Sequence, residues 1–425
     1  MKKALFVLSL LMCCVLCVFS GCQNEKENPV GTSVVIDGVK YTKIENGYEA
    51  TKIYDKELEE VILLEDVDGI PMTSIGVQLF KDSKVKNVVV PNSVETINGN
   101  AFANCKNLKT ITISNKINLI ENDAFYGCSS LVGFYYNGEL SDYCKIKFVD
   151  DFSNPLFYAK RLYINGEELS NLDFTDDIET IKDYAFAECY SITHFSSNNK
   201  IKSIGYKAFR NCINLESDIV LDYIQNIDDY AFSSCDKINN VEIGSDINEF
   251  GKSVFTCDLE YAKAGNIYYI GNENNPYLIA IDSDFKWNGW TVPNNSCRVI
   301  APYAFAHDRL ILEGGGKLTP GIFELSSSFF PSGLRYIGEN AFSGWNIQSI
   351  HIPSSIKKLG KSPFGSGGYE RISGNGVRIE KTIIYYSGNN PNSIGLTPQN
   401  VGRNFRLDGY NWDNYWTRFP NVKIG

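Results

Sequence analysis

Three histidines, His194, His307 and His351, are the side chains that could act as general bases near neutral pH. Each would need a nucleophile or a carboxylate held beside it, and the three stand far apart with no such partner marked by spacing. The carboxylate pairs Asp150-Asp151, Asp176-Asp177 and Asp228-Asp229 are adjacent in sequence. Neighbours in extended chain point to opposite sides, so these pairs cannot converge on one bond and read as solvated turn residues. Gly365-Ser366-Gly367 lacks the Gly-x-Ser-x-Gly spacing of a nucleophile elbow. Asp282-Ser283-Asp284 opens like a calcium loop, but Lys286 and Trp287 end the pattern. Neither a phosphate-binding loop nor a dinucleotide fingerprint is present. The expectation is a protein that is not an enzyme and uses no cofactor.

The twelve cysteines raise the question of disulfides or a metal. Four stand near the N-terminus (Cys13, Cys14, Cys17, Cys22), five recur at a fixed offset (Cys105, Cys128, Cys189, Cys212, Cys235), and Cys144, Cys257 and Cys297 are isolated. The C-x-x-C spacing occurs only at Cys14 to Cys17, inside an apolar leader, so no zinc site is expected. The recurring cysteines would stack about 5 Å apart in neighbouring coils, but with parallel Cβ vectors. They are expected to be buried free thiols, small core residues in character.

Residues 1 to 21 have the layout of an export signal: Lys2-Lys3, an apolar run from Ala4 to Phe19, then Ser20-Gly21 before Cys22. The run is short for a transmembrane span. Phe19-Ser20-Gly21-Cys22 resembles a bacterial lipobox, which makes Cys22 the lipid anchor and residues 22 to 32 a tether. Acyl chains hold a protein to a bilayer by about 0.8 kcal/mol per buried CH₂. The whole chain has 40 basic and 50 acidic residues; without Lys2 and Lys3 there are 38 basic against 50 acidic, a net charge of −12. Nucleic-acid binding needs a basic footprint and is excluded as a reading.

The element that must position any functional residue is a repeat. Phe102 to Phe125, Phe186 to Phe209, Phe209 to Phe232 and Phe232 to Phe255 are each 23 residues apart. Cys follows Phe102, Phe125, Phe186, Phe209 and Phe232 by three, and Leu108, Leu131, Ile192, Leu215 and Ile238 follow by three more. Apolar pairs Ile117/Ile120, Ile201/Ile204, Ile224/Ile227 and Ile247/Phe250 complete the unit. The Phe80 and Phe342 copies run 22 residues and lack the Cys. A period of this size is one strand and one return segment per coil, and no coil can bury its apolar residues alone.

The unit closely resembles the BspA-like (Treponema-type) leucine-rich repeat. Leu334-Arg335-Tyr336-Ile337-Gly338 leading to Ala341-Phe342, and Ile352-Pro353-Ser354-Ser355-Ile356, carry the likeness. It implies an α/β-type repeat solenoid: a parallel strand ladder with irregular or short helical returns, capped at both ends. The expected organisation is an N-terminal β cap over 33–69 and a solenoid over 70–368. Variant coils fall near 137–175 and 257–300, and a C-terminal cap with an aromatic tail covers 369–425. Hairpin signals at Val34 to Lys43 and strand signals at Val61 to Leu64 and Thr382 to Tyr386 lie in the caps.

Alternation along each strand sends one set of residues inward and the other to solvent, and stacking lines the outward set into columns. The outward residues are Asn87/Val89, Thr110/Thr112, Gly133/Tyr135, His194/Ser196, Asn240/Glu242 and Ser349/His351. Solenoids generate extended binding faces of this kind. The resemblance implies an adhesin-like envelope protein, lipid-anchored and exposed at the outer membrane surface, binding a host matrix or cell-surface protein. The alternative is a polysaccharide partner held on Tyr410, Trp412, Tyr415 and Trp416, or a scaffold between envelope components.

Overall fold

The structure is a computed structural model. It describes residues 29–174, 178–197, 200–238, 240–243, 247–252, 254–255, 262–264, 267–270, 277–281, 298–305, 323–325, 329–345, 347–365, 369–373, 376–380, 382–401 and 405–407.

Each coil contributes to two parallel ladders. The front ladder begins with Asn87–Val89, Thr110–Ser114, Gly133–Asn137 and Leu162–Ile164, joined in order. Ile111, Ile113, Phe134 and Tyr136 point inward and are fully buried, as the alternation requires. A rear ladder, not foreseen in the sequence, uses two residues per coil. Ile70–Ile75 is followed by Thr96–Ile97, Leu119–Ile120 and Lys147–Phe148. Thr180–Ile181, Ser203–Ile204, Asn226–Ile227 and Glu249–Phe250 form a second stretch. Val299–Ile300, Tyr336–Ile337 and Lys358–Leu359 form a third. The return segments are turns with little helix. The α-helices among the described residues, Leu140–Tyr143, Leu156–Ala159 and Pro398–Val401, are four residues each.

The invariant of the repeat is the turn that carries Phe. The residues two before and two after it adopt positive φ: Asn100 and Asn104 around Phe102 (58° and 60°), Lys207 and Asn211 around Phe209 (55° and 60°). These left-handed residues fold the chain tightly enough for Phe to enter the core, where the rings stack coil on coil. Phe80–Phe102, Phe209–Phe232 and Phe305–Phe342 have centroids 4.9, 4.8 and 4.8 Å apart and planes within 7°. Such pairs add roughly 0.5–1.5 kcal/mol to the area they bury. The Phe amide donates to the next coil's Ala carbonyl, as in Phe102 to Ala124 and Phe209 to Ala231 (2.8 and 2.7 Å).

The residue three after Phe has a definite task. Cys105, Cys128, Cys212 and Cys235 each donate their thiol to the Phe carbonyl one coil back, at 2.9, 3.1, 3.2 and 3.0 Å. Where the cysteine is missing, Trp345 donates its indole N–H to the Phe305 carbonyl, and Ser83 contacts the Cys105 sulfur at 3.4 Å. The position therefore selects a buried hydrogen-bond donor, and cysteine is the smallest apolar one. All six described cysteines are free and buried.

At the N-terminal end Asp37 and Gly38, both with positive φ (48° and 76°), turn Ser33–Ile36 into Val39–Ile44. This is the expected hairpin. Gly47–Ile53 extends it and pairs in parallel with Ile70–Ile75, so the meander continues into the rear ladder. The strand expected over residues 61–64 does not form: the segment has no ladder partner, and Leu63 enters the core while Ile62 is 84% exposed. At the other end the front ladder runs past residue 368. Thr382–Tyr386, expected as a strand, pairs with Ile347–Ile352, and Phe405–Leu407 pairs with it in turn.

Both ladders are interrupted together in the first variant stretch. In front, Leu162–Ile164 turns through Asn165-Gly166 (φ 50° and 87°) into antiparallel Glu167–Glu168. A new front pair then starts with Asn171–Asp173 against His194–Ser196. Behind, Lys147–Phe148 ends one stretch and Thr180–Ile181 begins the next. Side chains replace the missing backbone bonds. The Tyr143 hydroxyl donates to the Ala185 carbonyl at 2.7 Å, and the Asn154 amide donates to Tyr184 and Ala185 carbonyls at 2.8 and 3.2 Å. Tyr143 also packs on Phe186 with centroids 5.4 Å apart, closing the gap in the phenylalanine stack.

Candidate functional site on the front strand face

The register brings one group of expected outward residues together. Asn87, Thr110 and Gly133 lie side by side, as do Val89, Thr112 and Tyr135. The Thr110 hydroxyl donates to the Asn87 side-chain carbonyl at 2.7 Å. Tyr135 leans over Gly133, where an added Cβ would stand 2.8 Å from its ring. That glycine makes room for the tyrosine.

The next residue in this column is Tyr163. Its ring stacks on Tyr135 with centroids 4.5 Å apart and planes 16° from parallel, and both remain half-buried. Tyr163 was missed because it lies in the variant coil, where the period lapses. The alternation of Leu162 and Ile164 around it was the available signal. A second stacked pair arises the same way near the C-terminal end. His351 of Ile347–Ile352 registers with Tyr385 of Thr382–Tyr386, and the rings stack at 4.5 Å and 18°. Ser349 of the same strand registers with Ile383. His351 thus has an aromatic partner that its sequence neighbourhood does not reveal.

His194 and Ser196 are exposed and register with Asn171 and Asp173. Asn240 and Glu242 lie in the strand Asn240–Ile243, paired with Asp218–Leu221, so that Asp218 and Val220 are their register partners. The expected residues consequently fall in four front sheets and are not one continuous column. Cys22, His307, Tyr410, Trp412, Tyr415 and Trp416 lie outside the described residues.

Two of the carboxylate pairs read as solvated turn residues also make specific contacts, and Asp176-Asp177 lies outside the described residues. Asp150 accepts from the amides of Asp123 and Ser153 (3.1 and 2.7 Å), and burial raises its carboxyl above the usual range. Asp151 pairs with Lys207 and Arg210, both at 2.8 Å. Arg210 also reaches Glu188 at 3.0 Å, and Glu188, with a side chain only 6% exposed, binds Lys160 at 2.6 Å. This network spans the break in the ladders. Asp229 holds Lys252 by its side chain and its amide, at 3.4 and 2.8 Å. Among the described residues no three His, Cys, Asp or Glu side chains group as a metal site would require.

Stacked coils with two parallel ladders, a phenylalanine spine and an outward strand face define a leucine-rich-repeat solenoid. The chain belongs to the BspA type leucine rich repeat family, whose model matches in six copies over residues 51–150, 159–274 and 321–387. It is similar to the structure of a leucine rich cell surface protein from Faecalibacterium prausnitzii, at 19% identity over 94% of this chain and 99% of that one, TM-score 0.36. A leucine-rich repeat protein from Bacteroides ovatus is 19% identical over 78% of this chain and 85% of its own, TM-score 0.35. The T. pallidum leucine rich repeat protein is 22% identical over 53% of this chain and 88% of its own, TM-score 0.31. No curated protein matches the chain.

Proposed function

We propose that this protein is a non-catalytic bacterial cell-envelope protein that binds a protein partner through its front strand face. Lipid on Cys22, after removal of residues 1 to 21, is its anchor, and residues 22 to 32 are its tether. The observation that carries the reading is the stacking of Tyr135 on Tyr163 and of His351 on Tyr385. Tyrosine is enriched where interfaces concentrate their binding energy, because it buries a large rigid surface and keeps a polar tip. Two half-buried aromatic pairs on an otherwise small and polar surface are the natural anchors for a partner lying along the coils. The leader and the acidic surface fit export to a compartment where such a partner is met.

The test is binding of the chain from residue 23 onward to an array of extracellular-matrix proteins and polysaccharides. Saturable binding to a protein is expected. Alanine at Tyr135, His194 and His351 should weaken it, by about tenfold or more at the stacked positions, with no change in melting. Unaltered affinity in all three variants defeats the strand-face assignment. Retention of sugars alone would move the weight to the tail around Trp412 and Trp416.

A further inference from the structure

The break in the rear ladder leaves a cleft of about 330 Å³ walled by Lys147, Phe148, Thr180, Lys182, Asp183 and Asp228. In the regular coils the amide just after the rear strand donates one coil back: Gly205 to the Ile181 carbonyl at 2.9 Å, Asp228 to Ile204 at 2.9 Å. At the break the equivalent amide, Lys182, instead donates to the Cys144 carbonyl at 3.3 Å, four residues short of Phe148. The coil has slid sideways. Lys147–Phe148 is left as the last strand of one sheet and Thr180–Ile181 as the first strand of the next. Two sheet edges thus face a slot between coils, and an unpaired edge is a template for another strand.

The charges lining the slot are unequal in their surroundings. Asp183 and Asp228 form one side, and the groups acting on Asp228 are the carboxylates of Asp183, Glu249 and Asp229, with Lys358 the one opposing cation. Lys147 and Lys182, both exposed, are the cations of the lining. A guest strand gains most by bringing a cation to the carboxylates, where charge is crowded and partly desolvated.

We propose that this slot binds an extended peptide by strand addition, with a Lys or Arg side chain of the peptide placed over Asp183 and Asp228. Main-chain hydrogen bonds to the two edges supply affinity, and the carboxylates supply the preference for a basic residue. The slot and the front face are separate surfaces, so this inference stands or falls independently of the strand-face reading.

The experiment uses the purified protein and three synthetic peptides, measured by fluorescence anisotropy. One is a short alternating Thr-Val peptide with a central Lys, one has Glu in its place, and one is the Lys peptide N-methylated at alternate amides. The Lys peptide should bind saturably, the Glu peptide about tenfold more weakly, and the N-methylated peptide not at all, since methylation removes donors while leaving the charge. Asp228→Asn should reduce the Lys peptide's affinity about tenfold, and Tyr135→Ala should leave it unchanged. No binding of any peptide overturns the proposal. So does binding that survives N-methylation, which would be a surface charge attraction without a strand. The N-methylated arm needs no protein variant, so a folding defect cannot mask the outcome.

Discussion

Asp228 presents much of its surface to solvent, yet its carboxyl loses hydration against the neighbouring coils and faces Asp183, Glu249 and Asp229, with Lys358 the opposing cation. Desolvation first, then those like charges, push it from 3.8 up to about 6. Between those two values the folded protein holds a proton that the unfolded chain has released. Stability therefore falls as pH rises through that window. Because the group is exposed, solvent screening keeps the effect small, at most about 1 kcal/mol. Asp228→Asn should remove this contribution, so urea titrations at the two ends of the window should show a smaller loss in the variant than in the parent protein. Equal pH dependence in both would refute the assignment. From the sequence Asp228-Asp229 reads as a pair of solvated turn residues; Asp228 is exposed, but the carboxylates of Asp183 and Glu249 that crowd it come from other coils, which its local sequence does not mark.

At the scale of the element, the cysteine column shows what a repeat position selects. Cys105, Cys128, Cys212 and Cys235 fill core space next to the phenylalanine stack, and each thiol adds a second hydrogen bond to a Phe carbonyl that already accepts the amide three residues on. Burial also raises Cys144, Cys189 and Cys212 above the ordinary thiol range, so they are both inaccessible and weak nucleophiles. A thiol reagent at neutral pH should find none of the six described cysteines in the native protein and all of them after denaturation. Prompt native labelling of even one repeat cysteine would contradict this packing. The position of these residues was legible from the period. Their hydrogen-bonding task was not, and it became visible through the exception, where Trp345 offers an indole N–H to the same acceptor.

At the scale of the whole molecule, a solenoid holds together by contacts between neighbours, and its weakest interface is where the ladders stop. There the backbone bonds give way to Tyr143, Asn154 and the ion network centred on Glu188. Removing Glu188 leaves Lys160 without its carboxylate partner and Arg210 with Asp151 only. Glu188→Ala should cost about 2 kcal/mol and loosen the coupling across the break. In chemical denaturation the single transition should become broader or divide in two; an unchanged, sharp transition would show that Tyr143 and Asn154 suffice.

The sequence by itself determined the repeat, the inward and outward residues of the front strands, and the burial of phenylalanine and cysteine. Those features follow from a 23-residue period and from alternation, both local properties of the chain. The hairpin at Asp37-Gly38 was equally local, fixed by turn chemistry. Only the tertiary structure decided which outward residues meet. Tyr163 on Tyr135 and Tyr385 on His351 depend on the register of coils whose lengths vary, and in a parallel stack that register is set by how far each coil slides before its neighbours lock it. The cleft has the same origin: four residues of slippage at Lys182 open a slot between two strands. No single segment encodes that slip, because it is the resultant of packing on both sides of the break.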